Sequence, residues 1–216
     1  MLSLRRRLPK IRGERGFTML EIIVVLAVVA VMAGVLSPMI LNYVDDARKA
    51  KAESDVRTLS SLILQLTKDV QHFPIYFDGT KTTGDPDIEL LQGPGNDPAE
   101  NDASGHGWLP ATSKKDDLEN HLLINKPGGT TSTTSPPKYA TSGRSSWRGP
   151  YTDQLTPDPW GNRYLVNIKN GDPGAAAGKV IWVLSAGPNG KIETDPTALT
   201  DSGPVPGGDD VAVRVR

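Results

Sequence analysis

Residues 15–41 read RGFTMLEIIVVLAVVAVMAGVLSPMIL. From Ile22 to Val44 no residue is charged, a run of 23 positions. At about 1.5 Å rise per helical residue such a run spans roughly 34 Å, and the hydrocarbon core of a bilayer is about 30 Å thick. The run therefore predicts a membrane-crossing helix. One charge, Glu21, stands at its start. A carboxylate at the edge of lipid is costly and usually functional. The segment before it carries Arg5, Arg6, Arg7, Lys10, Arg12 and Arg15 against Glu14 alone. Basic residues flanking a membrane helix mark the cytoplasmic side, which places the N-terminus inside and the bulk of the chain across the membrane. A secretory signal peptide has an apolar core of about 7–15 residues and is cut after it; this run is too long. A plain single-pass anchor fits the hydropathy but gives no reason for the hexapeptide GFTMLE.

Gly16-Phe17-Thr18-Met19-Leu20-Glu21, with a basic leader before it and an apolar helix after it, resembles the processing site of type IV pilins and type II secretion pseudopilins. The resemblance implies cleavage between Gly16 and Phe17 by a prepilin peptidase, methylation of the new Phe17 amine by the same enzyme, and an assembly role for Glu21. Residues 1–16 are then a leader and 17–41 a transmembrane, filament-core helix.

Beyond Asn42 the pattern becomes amphipathic. Val56, Leu59, Ile63, Leu66 and Val70 recur at alternating three- and four-residue spacing, one stripe of a helix. Residues 42–73 are expected to continue the helix and to pack that stripe on the chain's own globular part. The helix should end near His72-Phe73-Pro74, because the residue before proline is pushed out of the α region. Residues 78–146 read as a loop-rich insertion: Gly93 to Pro98 is turn chemistry, Gly128 to Ser135 is low in complexity, and Asp116 to Ile124 suits a short helix with an acidic cap.

Order returns over 147–216. Residues 163–168, 179–184 and 210–215 are short, rich in β-branched and aromatic residues and bounded by Gly, Pro and Asp, so they read as strands. In the last, Val211, Val213 and Val215 alternate with Ala212 and Arg214, which predicts one buried and one wet face. A long helix laid on a small antiparallel sheet is an α+β domain. Gly149-Pro150-Tyr151, Asp158-Pro159-Trp160-Gly161-Asn162 and Trp182 to Gly190 (WVLSAGPNG) are similar to the C-terminal signature of the major, G-type pseudopilins. That resemblance implies the type IV pilin-like fold and a calcium-binding loop. Calcium takes six to eight oxygen ligands, and the candidates are Ser185, Asn189, Asp209 and Asp210, with Asp195 nearby. Asn189 stands where the family usually has aspartate, and the loop from Gly190 to Gly207 is longer than usual.

The chain has 216 residues and no cysteine, so disulfides cannot staple the outer part. Glycine and proline make up about a fifth of it, against roughly 12 per cent in ordinary domains. Without its leader the chain is acidic, which argues against nucleic-acid binding. Only His72, His106 and His121 are available for acid–base work, and no GxSxG, HExxH or phosphate-cradling loop occurs, so no enzyme activity is expected. The function implied is a structural pseudopilin subunit at the inner membrane, single-pass, with a periplasmic C-terminal domain. Its implied partners are the peptidase, copies of itself, other pseudopilins and inner-membrane secretion components. Two other readings share the anchor: a type IV pilus or DNA-uptake pilin, and a membrane-tethered binding module whose insertion holds a ligand.

Overall fold

A computed structural model describes residues 16–77, 87–100, 108, 114–129, 138–171, 180–195 and 207–215. Residues 1–15 of the expected leader, most of the low-complexity run after Gly129, and His106 lie outside the described residues. Packing divides the chain into two units, Met1–Asp45 and Asp46–Arg216.

Helix α1 runs from Met19 to Val70, 52 residues, and its helical hydrogen bonding continues past Gly34 and Pro38. In the first unit its apolar side chains are exposed throughout: Ile23 is 62 % accessible, Val31 69 % and Val35 70 %. This stretch is long and apolar enough to cross a membrane. In the second unit the expected stripe is buried: Val56, Leu59, Ile63, Leu66 and Val70 all face the core, together with Ala52. Full burial of such side chains is worth about 1.5–3 kcal/mol each before ordering costs. α1 stops slightly before the predicted His72-Phe73-Pro74. Gln71 takes a left-handed conformation (φ 68°) while its N–H donates to the Thr67 carbonyl at 2.8 Å, the geometry of a helix C-cap.

The sheet is larger than the sequence predicts. Five strands pair in the order β3 (Lys115–Asp117), β1 (Leu90–Gln92), β4 (Leu165–Asn167), β5 (Trp182–Ser185), β7 (Val211–Arg214). The three predicted strands are β4, β5 and β7, antiparallel as expected, with Leu165 opposite Leu184 and Val183 opposite Val213. β1 adds antiparallel to β4, and β3 pairs parallel to β1, so the sheet is mixed at that edge. Both added strands, and helix α2 (Leu118–Leu122), come from the segment read as loop-rich. Their three-residue strands are too short to produce a period-two signal that the eye or a count can separate from loop. A second small sheet joins β2 (Ala99–Glu100) to β6 (Lys191–Ile192).

The wet face expected on the last strand holds at Arg214 and is corrected at Ala212, which is half-buried. One face of the large sheet packs on α1, with Leu91, Val166, Val183 and Val211. The opposite face carries its own cluster of Leu90, Leu165, Trp182, Leu184 and Ile192, closed by the buried Trp108, and Ala212 packs against it. Of β7 only Arg214 is fully exposed. Trp108 Nε1–H donates to the Thr194 carbonyl at 2.6 Å, pinning this cover in place. The acidic cap of α2 also differs from expectation. Asp117 occupies the cap position without a side-chain hydrogen bond there. Asp116 instead accepts from the Asp117 N–H at 2.8 Å.

Candidate functional site

The residues expected to be processed, Gly16 and Phe17, lie just before α1, and Glu21 lies in its first turn. The Thr18 carbonyl accepts from the Ile22 N–H at 3.2 Å, and the Thr18 hydroxyl accepts from the Glu21 N–H at 3.2 Å. Thr18 is thus the N-cap, and Thr-x-x-Glu is the spacing of a capping box. Sequence reading gave Thr18 no role, although its threonine-to-glutamate spacing was there to be found. Glu21 sits in the first turn, where a negative charge is favoured by the helix dipole. Phe17 is 79 % exposed, and a Cβ placed on Gly16 would meet nothing within 4 Å. The fold itself therefore does not require glycine at position 16.

The second constellation gathers at one end of β5 and β7. The Asn189 N–H donates to Asp209 Oδ2 at 3.1 Å, and the Asp209 N–H donates to Glu193 Oε2 at 3.2 Å. Asp210 Oδ2 accepts three bonds, from the Glu193 N–H at 2.9 Å, the Thr194 N–H at 2.7 Å and the Thr194 hydroxyl at 2.6 Å. The other carboxylate oxygens, Asp209 Oδ1 and Asp210 Oδ1, are buried and find no hydrogen-bond partner among the described residues. Burial pushes the Asp210 carboxyl up from its ordinary range, the neighbouring Glu193 charge adds to that, and the Thr194 and Glu193 bonds oppose it. Gly187 makes the close approach feasible: at φ 63°, a Cβ there would lie 2.3 Å from the Asp209 carbonyl oxygen.

Two of the four expected calcium ligands are engaged elsewhere. The Ser185 hydroxyl donates to Asp158 Oδ2 at 2.7 Å, and Asn189 Oδ1 accepts from the Lys191 N–H at 2.6 Å. Among the described residues no cluster of three or more His, Cys, Asp or Glu side chains is disposed to hold a metal. The two orphaned carboxylate oxygens are nevertheless hard donors of the kind calcium takes.

Asp158 joins the two C-terminal motifs. Its Oδ1 accepts from the Trp160 N–H at 3.0 Å and the Asn162 N–H at 2.8 Å, an aspartate-led turn that Gly161 completes at φ 92°. Its Oδ2 takes the Ser185 hydroxyl, so the turn at 158–162 is bonded directly to the end of β5.

A third polar cluster is buried. His121 is fully inaccessible, with Nε2 2.9 Å from Asp116 Oδ2 and Nδ1 2.6 Å from the Tyr139 hydroxyl. Burial pushes the Asp116 carboxyl up, but the His121 bond and charge, the Gly128 N–H and the Asn120 amide outweigh it and hold the carboxyl below its ordinary range. A histidine sealed in this way meets no substrate. It fastens the 138–146 segment to α2.

A family profile described as the prokaryotic N-terminal methylation motif matches residues 11–37. The chain is 26 % identical over 182 residues to the type II secretion system core protein G of Escherichia coli (strain K12), covering 84 % of this chain and 87 % of that protein. It is 28 % identical over 184 residues to the core protein G of Dickeya chrysanthemi, covering 85 % and 84 % respectively. A protein of the same name from Pectobacterium carotovorum subsp. carotovorum is 34 % identical over 68 residues. No solved structure matches the chain. The chain thus carries a match to the N-terminal methylation motif and is similar over most of its length to core protein G of type II secretion.

Proposed function

We propose that this chain is a structural pseudopilin subunit of type II secretion, cleaved after Gly16, N-methylated at Phe17 and assembled into a periplasmic filament. The observation that carries this is the juxtaposition at the head of α1: an accessible Gly16–Phe17 bond, a capped Glu21, then an apolar helix exposed over its whole first unit. Glycine at 16 answers to no need of the fold, so the need lies with the peptidase that must reach the backbone. The basic leader holds the N-terminus in the cytoplasm, with the outer domain across the inner membrane. Prepilin peptidase and other components of the secretion apparatus are its expected partners.

An exposed apolar stripe is buried by helices of neighbouring copies. A lone carboxylate in that core would be costly, whereas one paired with an ammonium is tolerated. Cleavage creates such an ammonium at Phe17, so processing would license assembly through Glu21. The test is a Glu21→Ala variant expressed with the peptidase. Cleavage and membrane insertion should be normal, with filament yield lost; a normal yield of filaments would overturn the role given to Glu21. Mass and N-terminal sequencing of the native chain test the rest, since a mature protein that still begins at Met1 would exclude the pathway.

The acidic loop fits a calcium ion held through Asp209 and Asp210, with Ser185 and Asn189 supplying oxygens after exchanging their present bonds. Bound calcium would neutralise two buried carboxylates and tie the 187–210 loop to β7. Calorimetric titration of the mature chain with calcium tests this, with Asp209→Asn as the control.

A further inference from the structure

The two outer strands of the large sheet carry opposite charge. At the β7 rim a groove of about 490 Å³ opens between α1 and the strand, lined by Lys49, Glu53, Val56, Arg57 and residues 210–213. Lys49 and Arg57 are exposed, and among the described residues neither forms an ion pair. Glu53 is the exposed acid in that lining, since the Asp210 carboxylate is buried and bonded to Thr194. At the β3 rim a second groove, of about 400 Å³, is lined by Asp117, Glu119 and Asp153 with Leu123 and Leu155 between them. These three acids are exposed. Of the basic groups near this rim, Arg163 bonds to Asp97 at 3.1 Å and Lys114 to Glu89 at 2.5 Å, while Lys115 on β3 itself is half-buried.

β3 and β7 stand at opposite ends of the strand order. Four strand spacings of about 4.8 Å put them roughly 19 Å apart, so one molecule cannot bring the rims together. A second copy can. The contact joins two different surfaces of the same chain, so each added copy buries one rim and leaves the other free. Such head-to-tail contacts build helical filaments when the rotation does not close.

We infer that the β7 rim of one copy docks on the β3 rim of the next, with Lys49 and Arg57 facing Asp117, Glu119 and Asp153. The inference rests on the filament reading above and supplies its outer contact, separate from the apolar helices. Exposed like charges set opposite one another repel, so reversing one rim should impair assembly and reversing both should restore it.

The test uses the full chain with its peptidase and measures the fraction of processed protein in sedimentable filaments. Lys49→Glu with Arg57→Glu should lower that fraction roughly fivefold or more, as should Glu119→Lys with Asp153→Lys, the scale expected of a few exposed ion pairs. Carrying all four changes together should recover most of it. Because the chain has no cysteine, an Arg57→Cys, Glu119→Cys variant gives a direct readout that does not depend on charge: oxidised filaments should form a ladder of linked subunits. Filaments from the unmodified chain, with neither a charge effect nor a ladder, overturn the rim contact and leave the filament reading intact. A fully processed chain that makes no filaments overturns the filament reading, and the rim contact with it.

Discussion

The Tyr164 hydroxyl donates to Asp55 Oδ2 at 2.8 Å, joining the start of β4 to the middle of α1 across 109 positions of sequence. The same carboxylate takes Lys51 Nζ at 2.8 Å. Burial, the Asp55 bond and the Asp55 charge together push the Tyr164 hydroxyl well above the ordinary tyrosine range, so it remains a donor at every physiological pH.

Tyr164→Phe should therefore weaken the attachment of helix to sheet. A hydrogen bond to a charged group is worth about 1.5–3 kcal/mol net, and Lys51 remains to hold the carboxylate, so a loss near about 1.5 kcal/mol is expected. Denaturant unfolding followed by tryptophan fluorescence measures it. In a double-mutant cycle with Asp55→Asn, the second change should add little once the first is made.

Gly187→Ala should be among the most damaging single changes in the C-terminal half. At φ 63° and with its Cβ 2.3 Å from the Asp209 carbonyl oxygen, alanine must displace backbone, not a flexible side chain. Strain and displacement together should cost about 2 kcal/mol or more. A drop in the unfolding midpoint is one readout. Faster amide exchange of residues 189–194 and 209–211 is the other, and its absence would show that the loop does not depend on this approach.

Asp116 should give the globular part an acid limit. Its carboxyl is held below the ordinary range by His121, Gly128 and Asn120 in spite of burial. A depressed carboxylate contributes its full stability above the unfolded value, about 3.9, and loses it as the pH falls through the lower folded value. Asp116→Asn should flatten that acid limb and cost about 3 kcal/mol at neutral pH, because it leaves buried His121 without its charged partner. Thermal melts between acidic and neutral pH decide the matter; an unchanged acid limb would assign it to other carboxylates.

Asp210 has the opposite sign. Burial raises its carboxyl, so its ionisation costs the fold stability as the pH rises above the unfolded value through the higher folded one. Asp210→Asn should thus be tolerated without calcium. With calcium at about a hundred times its dissociation constant, the native chain should gain about 2.7 kcal/mol, and the variant nothing. Ligating carboxylates must be ionised, so the gain should disappear near about pH 4. A calcium effect of equal size in both proteins would move the ion away from Asp210.

Four local features were legible in the sequence: the apolar run from Ile22, the GFTMLE motif before it, the stripe from Val56 to Val70 and the three strands richest in β-branched residues. Each is a periodicity or a short-range signal written in consecutive residues, and the stripe also fixes its buried face. The tertiary structure decided what those elements meet. β1 and β3 are three residues long and become strands only because β4 offers β1 an edge and β1 then offers one to β3. Trp108 covers a sheet face that alternation alone leaves wet, through a bond to Thr194 that spans 86 positions. Ser185, a reasonable metal ligand by residue type, is turned to Asp158 by the packing of two turns whose separation in sequence carries no signal. Hydrogen bonds between such distant groups depend on where the backbone finally lies, and no spacing rule encodes that.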